Sequence, residues 1–88
     1  MPQRFQNDDN GYLTWLKDNS NGYVFNFFGG NDSEMNKIHC ADCRHLWRPT
    51  DEGRRTVIEK VCSSDLKELG EFVQSQRGEV WSYCKTCF

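Results

Sequence analysis

His39-Cys40-Ala41-Asp42-Cys43-Arg44-His45 places two thiols and two imidazoles in one short stretch, and Cys84-Lys85-Thr86-Cys87 adds a second thiol pair near the other end. Soft donors in two clusters some forty residues apart are the pattern of a closed four-ligand zinc site. Cys84-x2-Cys87 reads as a knuckle, in which both thiolates reach one ion while the intervening backbone N–H groups bond to the sulfurs. The first cluster can supply its pair as Cys40-x2-Cys43 or as His39-x3-Cys43, and spacing alone leaves both open. Cys62, at the end of a Val-Ile stretch, reads equally well as a small buried hydrophobe. A redox dithiol is a further reading of Cys84 and Cys87, but the flanking pattern is not the strand-helix-strand frame in which such pairs sit.

The size of the chain makes such a site matter. Its 88 residues, 36% of them hydrophobic, suit one domain spanning 1–88 with a modest core. Apolar burial at this size only just offsets chain entropy, so a covalent or metal staple is often needed. Six Phe, three Tyr and three Trp compensate in part, because large rings carry much buried area per residue. No apolar run approaches a membrane span, and the opening MPQRFQNDDN lacks the pattern of a secretion signal. The expectation is a cytoplasmic protein, where clustered cysteines serve as metal ligands before disulfides. The odd count of five cysteines also argues against a complete disulfide framework.

Working outward, Asp8 and Asp9 precede Tyr12, Leu13, Trp15 and Leu16 at helical spacing, which predicts a helix from about Asn10 to Asp18. Asn19-Ser20-Asn21-Gly22 is a turn. Tyr23 to Phe28 is a strand with apolar residues on both faces, hence central or covered. Asn31 to Asn36 is a polar loop, and Lys37 to Cys40 a short second strand leading into the first donor cluster. Trp47 to Arg55 reads as an exposed loop through Pro49, Asp51 and Gly53. Thr56 to Cys62 is a third strand. Ser64 or Asp65 caps a helix with the stripe Leu66, Leu69, Phe72 and Val73, stopped by Gly78. Val80 to Tyr83 returns extended into the last thiol pair. The fold class is α+β, with a small antiparallel sheet, two helices and one structural Zn2+.

Gly11-Tyr12-Leu13-Thr14-Trp15-Leu16, Gly22-Tyr23-Val24-Phe25-Asn26, His39-x3-Cys43, Lys60-Val61-Cys62 and Cys84-x-Thr86-Cys87 together resemble a family of small bacterial zinc domains. Its middle motif reads His-Arg-Ala-x-Cys, and it occurs alone or beside restriction-type and other defence proteins. The second half is also similar, more loosely, to the zinc domain of Ada-type alkylation-repair proteins. Both resemblances imply His39, Cys43, Cys84 and Cys87 as the ligands. Cys40, where the first family has Arg, becomes an unligated neighbour, and Cys62, matching a family cysteine, is the reserve fourth ligand. With a histidine at the place of a zinc-bound cysteine, suicidal methyl transfer of the Ada kind loses its acceptor thiolate.

Four protein ligands leave no open metal position for a catalytic water, and no nucleophilic triad or phosphate loop is present, so an enzyme is not expected. The net charge of -2 predicts weak attraction to plain duplex DNA. Residues 37–60 nevertheless carry six basic groups against four acidic ones, the only net-basic stretch. Within it, Arg44, Arg48, Arg54 and Arg55 with Trp47 are the candidate nucleic-acid contacts, Trp47 as a stacking surface. A mixed-charge solvated loop, with Trp47 covering the metal site, is the plainer reading. His45 reads as a fifth metal candidate or a partly exposed structural residue. A recognition module for DNA, modified DNA included, is the leading function, with a zinc-stabilised protein-interaction module as the alternative.

Overall fold

A computed structural model describes residues 2–27, 36–78 and 81–88. Five strands form one sheet: β1 (Gln3–Phe5), β2 (Tyr23–Phe27), β3 (Lys37–Cys40), β4 (Glu59–Ser63) and β5 (Ser82–Tyr83). Their order is β1-β4-β2-β3-β5, so β2 is central, as its two-sided apolar pattern implies. Helices α1 (Asp9–Asp18) and α2 (Leu66–Arg77) complete an α+β fold. Three pairings are antiparallel, while β5 runs parallel to β3 with Ile38 opposite Tyr83. The sheet is therefore mixed, not wholly antiparallel as expected.

Both helices start on acidic caps. The Asp8 carboxylate accepts from the Gly11 amide at 3.0 Å, and that of Asp65 accepts from Lys67 at 2.9 Å. Gly78, with φ +61°, stops α2 and donates to Gln74 O at 2.8 Å. Gly22 is needed for a close approach: a Cβ there would lie 2.6 Å from the Trp15 ring and 3.2 Å from the Ser63 carbonyl. The chain turns from α1 into β2 through this gap.

Strand alternation splits the interior into two clusters. Val24 lies opposite both His39 and Cys62, and this row faces α1, where Val24 and Cys62 pack with Tyr12 and Leu16. Phe25 lies opposite Ile38 and Val61, and this row packs against Leu69 and Val73 of α2. The α2 face is a plain apolar core. The α1 face also takes in Cys43 and Cys84.

Three expectations are corrected or fall outside the described residues. β1 was not anticipated; it adds to β4 with Gln3 opposite Cys62. The third strand begins at Glu59 and not at Thr56, because Asp9 claims the chain first. Its carboxylate accepts from the Thr56 amide at 2.8 Å, the Thr56 hydroxyl at 2.6 Å and the Arg55 amide at 2.9 Å. Held there, Thr56 leaves Val57 and Ile58 exposed and out of the sheet. The exposed Trp47–Arg55 loop contains one 3-10 turn, Pro49–Asp51, and a second, Arg44–Leu46, precedes it. Phe28, Val80 and all of the Asn31–Asn36 loop except Asn36 lie outside the described residues.

Candidate metal centre

β3 and β5, lying side by side and pointing the same way, release their chain ends at one edge of the α1 face. His39 is on β3 and Cys43 follows in the next turn; Cys84 and Cys87 follow β5. The Cys84 amide donates to Ile38 O at 2.9 Å, which locks the second pair against the first strand. The donor atoms of His39, Cys43, Cys84 and Cys87 all lie within 4.8 Å of one another. Cys43 Sγ and Cys84 Sγ are 3.9 Å apart. Two sulfurs each about 2.3 Å from a tetrahedrally bound ion would be separated by about 3.8 Å, so the pair already has ligand spacing. All five cysteines are free thiols.

The surroundings favour a thiolate at Cys84 and a neutral imidazole at His39. Cys87 Sγ accepts from the Cys40 amide at 3.2 Å. Cys84 Sγ accepts from the amides of Thr86 and Cys87, and Cys43 Sγ from that of His45, which is the knuckle arrangement. Burial works against ionisation of Cys84, but its amide donors and the His45 ring, with Nδ1 at 3.7 Å, bring the thiol down to about 6. Burial instead pushes Cys43 up to about 12 and also raises Cys87. Burial, then repulsion from the neighbouring His45 and Lys60, takes His39 down to about 4, leaving a neutral ring at neutral pH. Among the described residues its buried Nδ1 has no hydrogen-bond partner. Unpartnered buried nitrogen is costly unless something else takes its lone pair, and a cation does so. The donor set therefore fits a metal ion.

The reserve residues stand elsewhere. Cys62 is fully buried between Val24 and α1 and its thiol is pushed up to about 12 by burial, the state of a small apolar side chain. Cys40 lies opposite Tyr23, on the α2 side of the sheet, and its thiol donates to Cys87 O at 3.2 Å. It buttresses the second pair through its amide and thiol. His45 flanks the cluster, its ring 6.2 Å from that of His39.

The basic loop is divided in its use. Arg44, Arg48 and Arg54 are exposed. Arg55 is half-buried and spans the loop, donating through Nη1 to Arg48 O at 3.1 Å, with its guanidinium 5.6 Å over the Trp47 ring. Trp47 donates to Ala41 O at 3.1 Å yet leaves 43% of its surface exposed. Arg55 is thus a post of the loop more than a free contact. Asn26, Lys37 and Lys60 border a cavity beside His39; the net-basic balance of residues 37–60 covers the two lysines, and nothing in the sequence pointed to Asn26 as a lining residue. No helix among the described residues is long and apolar enough to cross a membrane. No family model, curated protein or solved structure matches the chain.

Proposed function

We propose that the chain is a zinc-stabilised recognition module that contacts DNA through the loop from Arg44 to Arg54. The observation that carries the zinc reading is the convergence of His39, Cys43, Cys84 and Cys87, one imidazole and three thiols, on a common point. That donor set is soft and four in number, which suits Zn2+ among the divalent ions. Bound there, the ion supplies folding free energy and no reaction, because protein donors occupy each tetrahedral position. The chain's own residues do the rest: the knuckle amides hold the sulfurs, and burial keeps the His39 ring neutral.

The DNA reading rests on three exposed arginines beside a half-exposed Trp47 ring. It also draws on the resemblance to domains found beside restriction and defence proteins. At a net charge of -2, affinity for plain duplex is weak and salt-sensitive, so a modified base or distorted structure supplies the remainder. A protein-interaction role is favoured by a different feature. Tyr83 and Phe88, 42% and 50% exposed, lie with ring centroids 4.8 Å apart in a tilted pair.

Titration of labelled duplexes, modified and unmodified, at low salt separates the two readings. Binding by the wild type that is weakened by Arg44→Glu supports the loop. No binding to any duplex, or equal binding by the variant, removes DNA and leaves the protein-interaction reading.

A further inference from the structure

Beside the metal centre, on the α1 side of β2, β3 and β4, lies a cavity of about 380 Å³. Asn26 of β2 and Lys37 of β3 border it on the sheet. The loop after β3 contributes Arg48, Arg54 and Arg55, while β4 contributes Lys60. Asp51 is the one carboxylate in the lining. Among the described residues none of Arg48, Arg54, Arg55 and Lys60 forms an ion pair, with Asp51 or with any other acid.

Gathering like charges in a partly enclosed space raises their mutual repulsion and strips water from them. Lys60 carries that cost visibly: burial lowers the affinity of its amine for a proton, and Asp51 only partly restores it. The cations also retain donors. Lys60 spends one N–H on Asn26 Oδ1, and Arg54 spends its Nε–H on Thr50 O at 3.0 Å. Two ammonium protons and four guanidinium N–H groups remain. Arginine forks match the oxygens of a phosphate in pairs.

We propose that this cavity is a binding site for a phosphate monoester on a nucleotide-sized carrier, held by Arg48, Arg54 and Lys60. Three features select that ligand. The volume exceeds what an inorganic ion fills and lies within the range of small-molecule sites. Leu46 and Ile58 form an apolar wall for a sugar or base beside the charged end. A monoester carries close to two negative charges at neutral pH and projects as an end. A backbone diester carries one and continues on both sides, which suits an open groove better than a cavity.

The same chemistry occurs on a free mononucleotide and on the 5′-phosphorylated end of a nucleic-acid strand. The site shares Arg48 and Arg54 with the exposed face of the loop but not Arg44, so the inference goes beyond the duplex reading, and Arg44→Glu tests that reading apart from it. The experiment is calorimetric titration of the full, zinc-loaded chain at low salt with adenosine 5′-monophosphate, adenosine, inorganic phosphate, and a short oligonucleotide with and without a 5′-phosphate. Saturable one-to-one binding of the monophosphate, with none of adenosine, is expected. Arg48→Gln/Arg54→Gln should weaken it at least tenfold while zinc content and circular dichroism stay unchanged, and Lys67→Gln on the exposed side of α2 should leave it intact. Preference for the phosphorylated oligonucleotide over the monophosphate assigns a strand end; the reverse assigns a free nucleotide. Absence of monophosphate binding, equal binding of adenosine, equal binding of inorganic phosphate, or an unaffected double variant overturns the proposal. Weakened binding of a hydroxyl-ended duplex by Arg44→Glu, a residue outside the cavity lining, bears only on the duplex reading, so the two readings fail separately.

Discussion

Cys43 and Cys84, separated by 41 positions in the chain, bring their sulfurs to 3.9 Å. Neither residue is in a regular element; each sits just past the end of one of two parallel strands. The site is therefore a property of the β3–β5 pairing, and its ligands can be told from their neighbours by substitution.

Cys84→Ser and His39→Ala should each abolish stoichiometric zinc in the purified protein, measured by elemental analysis. Cys62→Ser should keep it, with a stability loss of about 1–2 kcal/mol from placing a hydroxyl among apolar side chains. Cys40→Ser should also keep it. Loss of the metal in Cys40→Ser with retention in His39→Ala would install the Cys40–Cys43 pair in place of the assigned one.

Removal of zinc by a chelator should unfold the α1 face first and most of the chain with it. Structural zinc sites contribute apparent free energies of about 10–16 kcal/mol, as large as the whole net stability of a typical domain. Circular dichroism during chelation should lose its cooperative thermal transition and regain it on adding zinc. A metal-free chain that melts cooperatively at the original temperature would contradict the site's structural role.

Asp9 predicts an acid dependence that is separate from the metal. The Thr56 hydroxyl, then the Arg55 and Thr56 amides, hold its carboxyl below the ordinary carboxylate range. A carboxyl with a depressed folded pKa stabilises the fold above the unfolded value, near 3.8, and the contribution is lost as pH falls through the folded pKa. Asp9→Asn should cost about 1–3 kcal/mol at pH 7 by leaving these donors poorly matched. The difference from wild type in urea midpoints should shrink below pH 4. A difference that stays constant down to pH 2 would remove Asp9 as the cause.

Gly22→Ala tests the passage between α1 and β2. The added methyl must displace the Trp15 ring at 2.6 Å and press on the Asn19 and Ser63 carbonyls at 3.0 and 3.2 Å. A loss of about 1–3 kcal/mol is expected, as for other overpacked sites, with zinc stoichiometry unchanged. A variant as stable as wild type would mean that α1 can lift from the sheet without cost.

How much of this could be read in the sequence follows from which signals are local. Asp8, Asp65 and Gly78 mark helix ends within a few residues of the apolar stripes they bound, and both helices were legible. β3 was legible to its ends. β1 was not, because Gln3-Arg4-Phe5 has one apolar residue and is extended only by its pairing with β4. Thr56 looked like a strand residue until Asp9, 47 positions earlier, captured its amide. The choice between His39 and Cys40 was open on spacing, yet the period-two alternation of β3 puts the first beside Val24 and the second beside Tyr23, on opposite faces. The cavity was illegible because Asn26 and Lys60, 34 positions apart, become neighbours only in three dimensions.

The two-residue strand β5 has a consequence for the order in which the molecule opens and closes. Parallel neighbours cannot be joined by a tight turn, and the chain passes through β4 and α2 before it returns to β3. The ends of a long, slowly closing loop must therefore meet before Cys84 and Cys87 can join His39 and Cys43. In the opposite direction, the amides of Ser82 and Cys84, bonded to Asn36 O and Ile38 O, are the hinge pins of the C-terminal segment. Their deuterium uptake should follow the lifetime of the bound ion, while the amides of β2 and β4 exchange only when the whole sheet comes apart.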